Sequence, residues 1–256
     1  TRDKWSGRLL LRFTAVAKDA IKQCALVVEQ SEIYTAIRIN GQLIQASDKV
    51  FWCDRTMHRL TIDGLIVEGE NIIELELDYV APVQDSLDAI ARYGSEIESV
   101  YLVGDFQVKA HVSDQPAAPT ERSTQPMLPD VKVHRFSSFE LTRSGEIQAG
   151  ELTLAGYPFY AGRMAMSFAF NVSTIKSGMR YMLRLDPPNA IVAVPSVNGQ
   201  ELAAITCCPW ELDITEQIRV GENQLTLTLV NSLRNLLASA RELSSCCKSI
   251  EIKSST

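Results

Sequence analysis

Apolar and polar residues alternate along much of this chain, which is the period of a β-strand with one buried and one solvated face. The alternation is clearest in GENIIELELDY, Gly69–Tyr79, and in GENQLTLTLV, Gly221–Val230. In the first run Glu74, Glu76 and Asp78 share one face, and the other face carries Ile73, Leu75, Leu77 and Tyr79. Both runs predict strands of an antiparallel sheet that packs on one side only.

Further short apolar runs separated by polar turns indicate many strands. They include GRLLLRFTAVA, CALVVEQ, TAIRIN, SVYLVGDFQVKAHV, GELTLA, RMAMSFAFNV, MRYMLRL, AIVAVPSVN and KSIEIKS. Such a pattern favours an all-β fold, and we predict two tandem antiparallel β-sandwich domains of the jelly-roll, galactose-binding-like type. Two short helices are also predicted, in DSLDAIARYG (85–94) and NSLRNLLASARELSS (231–245). Neither alternates with strands as a parallel barrel would require.

The chain contains an internal repeat. Both copies open on Asn-Gly, the strongest short hairpin signal, and later reach a Gly-Glu-Asn turn. The positions that we match are Asn40 with Asn198, Trp52 with Trp210, Asp54 with Asp213, and residues 69–71 with 221–223. This match places a six-residue insertion of the first copy just before its second turn. We therefore expect one copy per domain, with the two tryptophans in a shared scaffold role.

A proline-rich segment separates the copies. Four prolines stand among small polar residues in SDQPAAPTERSTQPMLPD, residues 113–130. Such a composition is typical of a linker or an extended strap. We predict a first sandwich over residues 1–112, the linker over 113–130, and a second sandwich over 131–256.

Composition narrows the classes of partner. With 256 residues and 46% hydrophobic content, the chain is long enough for two cores. Its net charge of −6 and pI near 5.2 argue against nucleic acid, whose binders need a basic patch. No apolar run approaches the length of a membrane helix, so no membrane partner is expected. The chain opens without a signal-peptide core, and we expect it to be a piece of a longer polypeptide.

The six cysteines include two adjacent pairs, Cys207-Cys208 and Cys246-Cys247. Neighbours on a strand point to opposite faces, so neither pair makes a natural metal clamp. We expect free thiols, which favours the cytoplasm, while a disulfide between the pairs and a secreted protein stay open as alternatives. Neither a metal nor another cofactor is predicted.

At the level of motifs the chain resembles a family. The order Asn-Gly, aromatic, DIT and Gly-Glu-Asn is similar to the sugar-binding-type jelly rolls of family 2 glycoside hydrolases. The runs YLVGDFQV (101–108), GYPFYAGRM (156–164) and NSLRNLL (231–237) resemble the C-terminal region of large bacterial α-L-rhamnosidase-like hydrolases. That family commonly continues NSLRNLL with Gly-Pro-His-His, whereas residues 238–241 here read ASAR.

We predict no catalytic residue in this chain. Glycoside hydrolysis needs two carboxyl groups held across a cleft. Glu74 and Glu76 share a strand face, where a solvated sheet surface is the favoured interpretation. His58, His111 and His134 show neither the spacing of a metal site nor an evident nucleophile partner.

Sugar binding is the favoured chemistry. Sandwich domains hold sugars with exposed aromatic rings and with amide or guanidinium groups on end loops. The candidate residues that the chain offers for this role are Tyr157, Tyr160, Arg163, Trp210, Asn231, Arg234 and Asn235. For the aromatic residues of 157–160, however, a hydrophobic plug or a domain contact is the favoured interpretation, with sugar binding as the alternative. For Trp210, core packing is favoured in the same way.

Two hypotheses about function follow. In the first, the chain is a non-catalytic accessory region of a bacterial glycoside hydrolase, with carbohydrate and the catalytic domain of the same polypeptide as partners. In the second, it is a free-standing two-domain carbohydrate-binding or surface-interaction protein. Whether the whole polypeptide is an enzyme stays open in both.

Overall fold

A computed structural model gives the structure of residues 5–45, 50–83, 87, 92–113, 133–145, 151–186, 190–233, 236, 242–244 and 250–255. The described residues form eighteen strands and one short 3-10 helix, Ser31–Ile33. No helix in these ranges is long and apolar enough to cross a membrane. The predicted helices at 85–94 and 231–245 lie largely outside the described residues. The end of the second prediction is wrong, since Glu242–Ser244 form a strand.

The chain divides into two compact units. Unit 1 contains Thr1–Val108 and Glu140–Gly145, and unit 2 contains Lys109–Phe139 and Glu146–Thr256. Residues 114–130 of the predicted linker lie outside the described residues. The predicted domain boundaries therefore stay a prediction.

Unit 1 is built from two antiparallel sheets. Its strands are β1 (Gly7–Ala17), β2 (Cys24–Glu29), β3 (Tyr34–Ile39), β4 (Gln42–Ile44), β5 (Phe51–Trp52), β6 (Asp54–Thr61), β7 (Gly69–Tyr79) and β8 (Tyr101–Gly104). Strands β1, β7, β3 and β4 are neighbours in that order in one sheet, and β5, β6, β2 and β8 in the other. Strands β9 (Phe106–Val112) and β10 (Val133–Arg143) follow, and Leu141 of β10 lies parallel to Ala17 of β1.

The core of unit 1 lies between its two sheets. Burial alternates along β7, as the sequence pattern predicts, whereas β2 is buried on both faces. The inward-facing set comes from both sheets and includes Leu26 and Val28, Ile37 and Ile39, Leu60, and Ile73 and Leu75. Two sheets that share one apolar core define a sandwich.

Unit 2 repeats this plan. Its further strands are β11 (Arg163–Val172), β12 (Arg180–Leu185), β13 (Val192–Val197), β14 (Gln200–Glu201), β15 (Glu211–Asp213), β16 (Gly221–Val230), β17 (Glu242–Ser244) and β18 (Ile250–Ser255). Strands β11, β16, β13 and β14 form one sheet, β15, β12 and β18 the other, and β17 pairs with β10. The shared core includes Leu183, Leu185, Ala193, Val197, Leu225, Leu227 and Leu229. The predicted all-β sandwich fold is therefore confirmed.

A buried asparagine holds the turns of unit 1 together. Asn71 is 0% exposed, and its side-chain oxygen accepts hydrogen bonds from Asn40 Nδ2 at 2.9 Å and from the Val67 amide at 2.8 Å. Its own Nδ2 donates to the carbonyl oxygens of Val67 at 2.8 Å and Gly69 at 3.1 Å. Every polar atom of this buried amide thus has a partner.

Asn223 makes the same contacts in unit 2. This side chain is 1% exposed and accepts hydrogen bonds from Asn198 Nδ2 and from the Arg219 amide, both at 2.8 Å. Its Nδ2 donates to the carbonyl oxygens of Arg219 at 2.7 Å and Gly221 at 2.9 Å. Both asparagine-glycine turns also have left-handed asparagines, with φ of 51° at Asn40 and 52° at Asn198.

The match that we drew between the two tryptophans is wrong. In unit 1 the end of β2 aligns Val28 with His58 of β6. In unit 2 the corresponding end of β12 brings Leu185 to Trp210, whose carbonyl oxygen accepts a 2.8 Å hydrogen bond from the Leu185 amide. Trp210 therefore occupies the place of His58. The extra residues of the first copy lie before this point, where the β5 hairpin carries Trp52.

Candidate functional site

The predicted aromatic cluster lies on loop 151–162, which leads into β11 of unit 2. The strand predicted at GELTLA is wrong, since residues 151–155 form turns of this loop. The loop folds back on itself, since the Tyr157 amide donates a 3.0 Å hydrogen bond to the carbonyl oxygen of Leu152. Leu152 is 5% exposed and belongs to the core of the unit. The loop is therefore anchored by burial as well as by its backbone.

Tyr157 and Tyr160 contact each other edge to face. Their ring centroids are 5.9 Å apart and the ring planes meet at 89°. Both rings are half-buried and pack against the core of unit 2. The Tyr160 hydroxyl donates a 2.5 Å hydrogen bond to the carbonyl oxygen of Arg163. The pKa of Tyr160 is raised, mainly by burial of the hydroxyl and to a smaller extent by the neighbouring Tyr157. The rings thus combine a packing role with a partly exposed aromatic surface.

Asn231 joins this loop to the end of β16. Its Nδ2 donates a 3.0 Å hydrogen bond to the carbonyl oxygen of Tyr160, and its amide nitrogen donates one of 2.8 Å to Gly162. Its side-chain oxygen accepts a 2.8 Å hydrogen bond from the Ser232 amide. The amide that we assigned to sugar recognition is therefore used in positioning the loop.

Arg163 is the exposed member of the cluster. It is the first residue of β11 and lies opposite Val230 of β16. While its carbonyl oxygen accepts the Tyr160 hydroxyl, its side chain projects from the exposed face of the strand. The exposed Arg163 side chain thus directly follows the loop that carries the two tyrosines, and Tyr160 is bonded to its backbone.

Trp210 lies at the same end of unit 2 but in the opposite sheet. Its carbonyl oxygen binds the amide of Leu185, the last residue of β12. A short connection then carries the chain to β13, whose first residue Val192 lies opposite Val230. The half-buried Trp210 side chain packs against the core. We name this end, formed by loop 151–162, the start of β11, the end of β16 and Trp210, the tyrosine end.

Two further contacts fix the loop that carries the tyrosines. The Glu151 carboxylate pairs with the imidazole nitrogen Nε2 of His134 on β10, and both side chains are largely buried. The Phe159 ring lies 4.8 Å from that of Phe139, also on β10. Sequence reasoning missed these anchors because they join segments that are distant in the chain.

Exposed aliphatic side chains also occur at the tyrosine end. Leu154 is 47% exposed, Ile191 56% and Leu233 53%. Several exposed apolar side chains at one end of a domain can provide part of a contact surface. The remaining two candidates, Arg234 and Asn235, lie outside the described residues.

A polar cavity that sequence reasoning missed opens at the other end of unit 2. Its volume is about 410 Å³, and its lining residues are Arg180, Asp213, Thr215, Glu216 and Gln217. The Asp213 carboxylate accepts hydrogen bonds from the Thr215 amide at 3.0 Å and from its hydroxyl at 2.5 Å. These bonds lower the pKa of Asp213, and the bond from the Thr215 hydroxyl has the largest effect. The cavity therefore holds an ionised carboxylate that is tied to its own turn.

The shifted carboxyl groups do not suit acid catalysis. A glycosidase general acid needs a raised pKa. In the described residues, the pKa values of Asp19, Asp54, Glu76 and Asp213 are all lowered, chiefly by hydrogen bonds. Glu74 pairs with Arg12 at 2.6 Å, and Glu76 pairs with Arg8 and Arg38. The shared face of Glu74 and Glu76 is thus an ion-paired sheet surface.

The described ranges contain no cluster of side chains suited to a metal ion. No group of three or more histidine, cysteine, aspartate or glutamate side chains there is arranged to hold an ion. Cys207 and Cys208 are both exposed free thiols, whereas Cys246 and Cys247 lie outside the described residues. The disulfide alternative between the two pairs therefore stays untested.

Comparison with known proteins gives matches among solved structures alone, since no family model and no curated protein matches the chain. The chain is similar to an α-L-rhamnosidase of Streptomyces avermitilis with bound L-rhamnose, at 13% identity and a TM-score of 0.36, over 98% of this chain and 26% of that one. It is similar to a β-D-mannosidase of Dictyoglomus thermophilum at 15% identity and a TM-score of 0.29, over 88% and 24% of the two chains. A lectin of Pleurotus ostreatus matches at 10% identity and a TM-score of 0.23, over 99% and 76%. The chain thus spans about a quarter of the length of these two glycosidases.

Proposed function

We propose that this chain is a non-catalytic accessory region of a glycoside hydrolase and that it binds carbohydrate at the tyrosine end of unit 2. The observation that carries the proposal is the edge-to-face pair of two partly exposed tyrosine rings, on a loop that leads directly to the exposed Arg163. Aromatic rings contact the apolar face of a pyranose, and a guanidinium donates hydrogen bonds to hydroxyl groups. The motif resemblance to rhamnosidase-like hydrolases agrees with this chemistry.

The geometry favours binding that needs little rearrangement. Asn231, Leu152 and the His134–Glu151 pair hold loop 151–162 at three points. A loop that is already fixed loses little conformational entropy when a ligand binds. The rings are half-buried, however, so the surface offered to a sugar is small, and we expect weak affinity.

The lowered carboxyl pKa values support a non-catalytic role. At neutral pH these groups are ionised and cannot donate the proton that a leaving sugar requires. We expect no turnover of aryl glycosides by the isolated chain. Turnover that a single carboxylate substitution abolishes would contradict this part of the proposal.

A glycan array with the purified chain tests carbohydrate binding, followed by titration of the best ligand by calorimetry. Arg163→Ala should weaken binding by about tenfold or more, because a hydrogen bond to a charged group is lost. Arg219→Ala is the matched control, since Arg219 is also exposed but lies at the other end of the same sheet. Equal affinity in both variants, or no glycan bound by the array, would overturn the proposed site.

A second candidate function is favoured by the exposed leucines and isoleucine. The surface of Leu154, Ile191 and Leu233 suits a contact with the catalytic domain of the same polypeptide. Ile191→Ser should then lower the thermal stability of the longer enzyme while leaving the isolated chain unchanged. Val220→Ser is the control, since Val220 is 62% exposed at the opposite end. An equal response of enzyme and isolated chain would exclude the contact.

A further inference from the structure

Strand β11 forms an unusually open edge of unit 2. It pairs with β16 over its whole length, from Arg163 opposite Val230 to Val172 opposite Gly221, without a register shift. No strand in the described part of the chain pairs with its other side. An edge of ten residues is long enough to accept another strand.

The backbone groups that point away from β16 can be identified from the register. The Asn231 amide donates to the carbonyl oxygen of Gly162, so the pair 162 and 231 is hydrogen-bonded. In an antiparallel ladder the hydrogen-bonded pairs alternate along the strand. The N–H and C=O groups of Ala165, Ser167 and Ala169 therefore point to the open edge. The carbonyl oxygen of Arg163 already accepts a hydrogen bond from the Tyr160 hydroxyl.

This edge lacks the features that usually prevent strand pairing. Lysine, proline, bulges and charged side chains are the common protections of an edge strand. The solvent-facing residues inside β11 are Ala165, Ser167 and Ala169, which are small and uncharged. Its sequence RMAMSFAFNV contains no proline, and the ladder has no bulge.

The corresponding strand of unit 1 is protected. On β1, Arg8 and Arg12 occupy the exposed face and pair with glutamates of β7. The far end of β1 is also covered, since Leu141 lies beside Ala17 and its carbonyl oxygen accepts the Lys18 amide at 2.8 Å. The open edge is therefore a feature of β11 and not of the shared fold.

We propose that β11 pairs antiparallel with β11 of a second copy of this chain, with Ser167 on the two-fold axis. The strand is nearly symmetric about that residue. In this register Ala165 of one copy faces Ala169 of the other, and Arg163 faces Asn171. The core-side residues Met164 and Met166 face Phe170 and Phe168. No charge meets a like charge, which is the requirement for a self-complementary two-fold interface.

The pairing uses the backbone groups that are open in the single chain. Residues 165, 167 and 169 of each copy form hydrogen-bonded pairs, which give about six new backbone hydrogen bonds. The two four-stranded sheets then become one continuous sheet of eight strands. The contact buries little surface area beyond the strand itself. We therefore expect a dissociation constant of the dimer in the micromolar range. This inference does not depend on carbohydrate binding.

Sedimentation equilibrium over about 1 to 100 μM protein tests the proposal. The wild-type chain should show a reversible monomer–dimer equilibrium. Ala165→Lys with Ala169→Lys should weaken dimerisation at least tenfold, because the introduced lysines face each other across the axis. The matched control is Thr228→Lys with Gln224→Lys, which adds the same charges to the directly opposite positions of β16, away from the edge. The control should dimerise as the wild type does.

A charge-reversal experiment fixes the register and guards against misfolding. Ala165→Glu with Ala169→Glu should also be monomeric, and mixing it with the double lysine variant should restore a heterodimer. A wild-type chain that stays monomeric throughout the range would overturn the proposal. So would a dimer that survives in the double lysine variant, or a mixture of the two folded variants that forms no heterodimer.

Discussion

Asn198 Nδ2 donates a 2.8 Å hydrogen bond to the side-chain oxygen of Asn223, which is 1% exposed. This contact joins the asparagine-glycine turn between β13 and β14 to the turn that opens β16. Asn198 Oδ1 in addition accepts a 3.0 Å hydrogen bond from the Gln224 amide. The pair Asn40 and Asn71 makes the same connection in unit 1 at 2.9 Å. In both units a buried amide thus fixes the register of the central strand.

Replacing the buried amide should destabilise the unit that contains it. Asn223→Ala removes the buried acceptor of the Arg219 amide and of Asn198 Nδ2, at a cost of about 1–3 kcal/mol in the free energy of unfolding. Asn71→Ala should have a similar effect through the Val67 amide. Urea denaturation measures the change. Gln224→Ala, at an exposed neighbouring position, should stay within about 0.5 kcal/mol of the wild type.

The stability of unit 2 should depend on Asp213 in acid. Hydrogen bonds from Thr215 lower the pKa of the folded carboxyl below its ordinary value of 3.8. The ionised group therefore stabilises the fold above the unfolded pKa, and this stabilisation is lost as the pH falls through the folded pKa. Asp213→Asn should flatten the decline of the urea midpoint below about pH 4. The group is substantially exposed, so the change in slope should be modest.

The hydroxyl of Thr215 provides the control for that measurement. Thr215→Ser keeps a hydroxyl beside Asp213 and should keep the acid dependence of the wild type. Thr215→Val removes the donor and should shift the profile toward that of Asp213→Asn. An identical acid slope in the serine and valine variants would contradict the assigned cause.

The cysteines should differ sharply in reactivity. Cys24 is 2% exposed, and burial raises its pKa to about 12, so it stays a protonated thiol near neutral pH. Cys53, Cys207 and Cys208 are exposed free cysteines. Native alkylation with iodoacetamide, mapped by peptide mass spectrometry, should label these three and spare Cys24. Labelling of Cys24 should appear after denaturation, and its rapid labelling in the native chain would contradict the structure.

Gly104 marks a close approach between β8 and β2. A Cβ at this position would meet the carbonyl oxygen of Gln23 and would lie 2.9 Å from Cys24 Cα. Gly104→Ala should therefore destabilise unit 1 by about 1–3 kcal/mol, as measured by thermal or urea unfolding. At Gly145 the nearest such contact is Gln107 Oε1 at 3.8 Å. Gly145→Ala is thus the control, and an equal loss in both variants would argue against the steric explanation.

The alternation of apolar and polar residues predicted most of the strands, although it missed β10 and wrongly predicted a strand at GELTLA. Burial follows the predicted faces of β7, where Ile73, Leu75 and Leu77 are inside. The Asn-Gly and Gly-Glu-Asn signals also identified the turns, because both require residues that tolerate positive φ. Local chemistry was therefore enough wherever the structural cause lay within a few residues.

The tryptophan match shows where local reasoning failed. Trp52 and Trp210 stand at equal distances from their asparagines, yet the strand register gives Trp210 the place of His58. Spacing along the chain counts residues, whereas register depends on where an extra hairpin is inserted. That insertion is visible only in the pairing of β6 with β2.

The candidate site also has one part that the local sequence predicts and another that depends on contacts between distant segments. The residues of 157–163 are close in sequence, and their clustering follows from one loop. The use of Asn231 to position Tyr160, the anchoring of Glu151 by His134, and the polar cavity of Arg180 and Asp213 involve segments far apart in the chain.

The sequence by itself thus determined the all-β class and the faces of the strands, because period-two burial and turn chemistry are local properties. Tertiary structure alone decided the strand order, the true correspondence between the two units, and which polar groups remain available for a ligand. These depend on contacts between distant segments, which a pattern read along the chain does not specify.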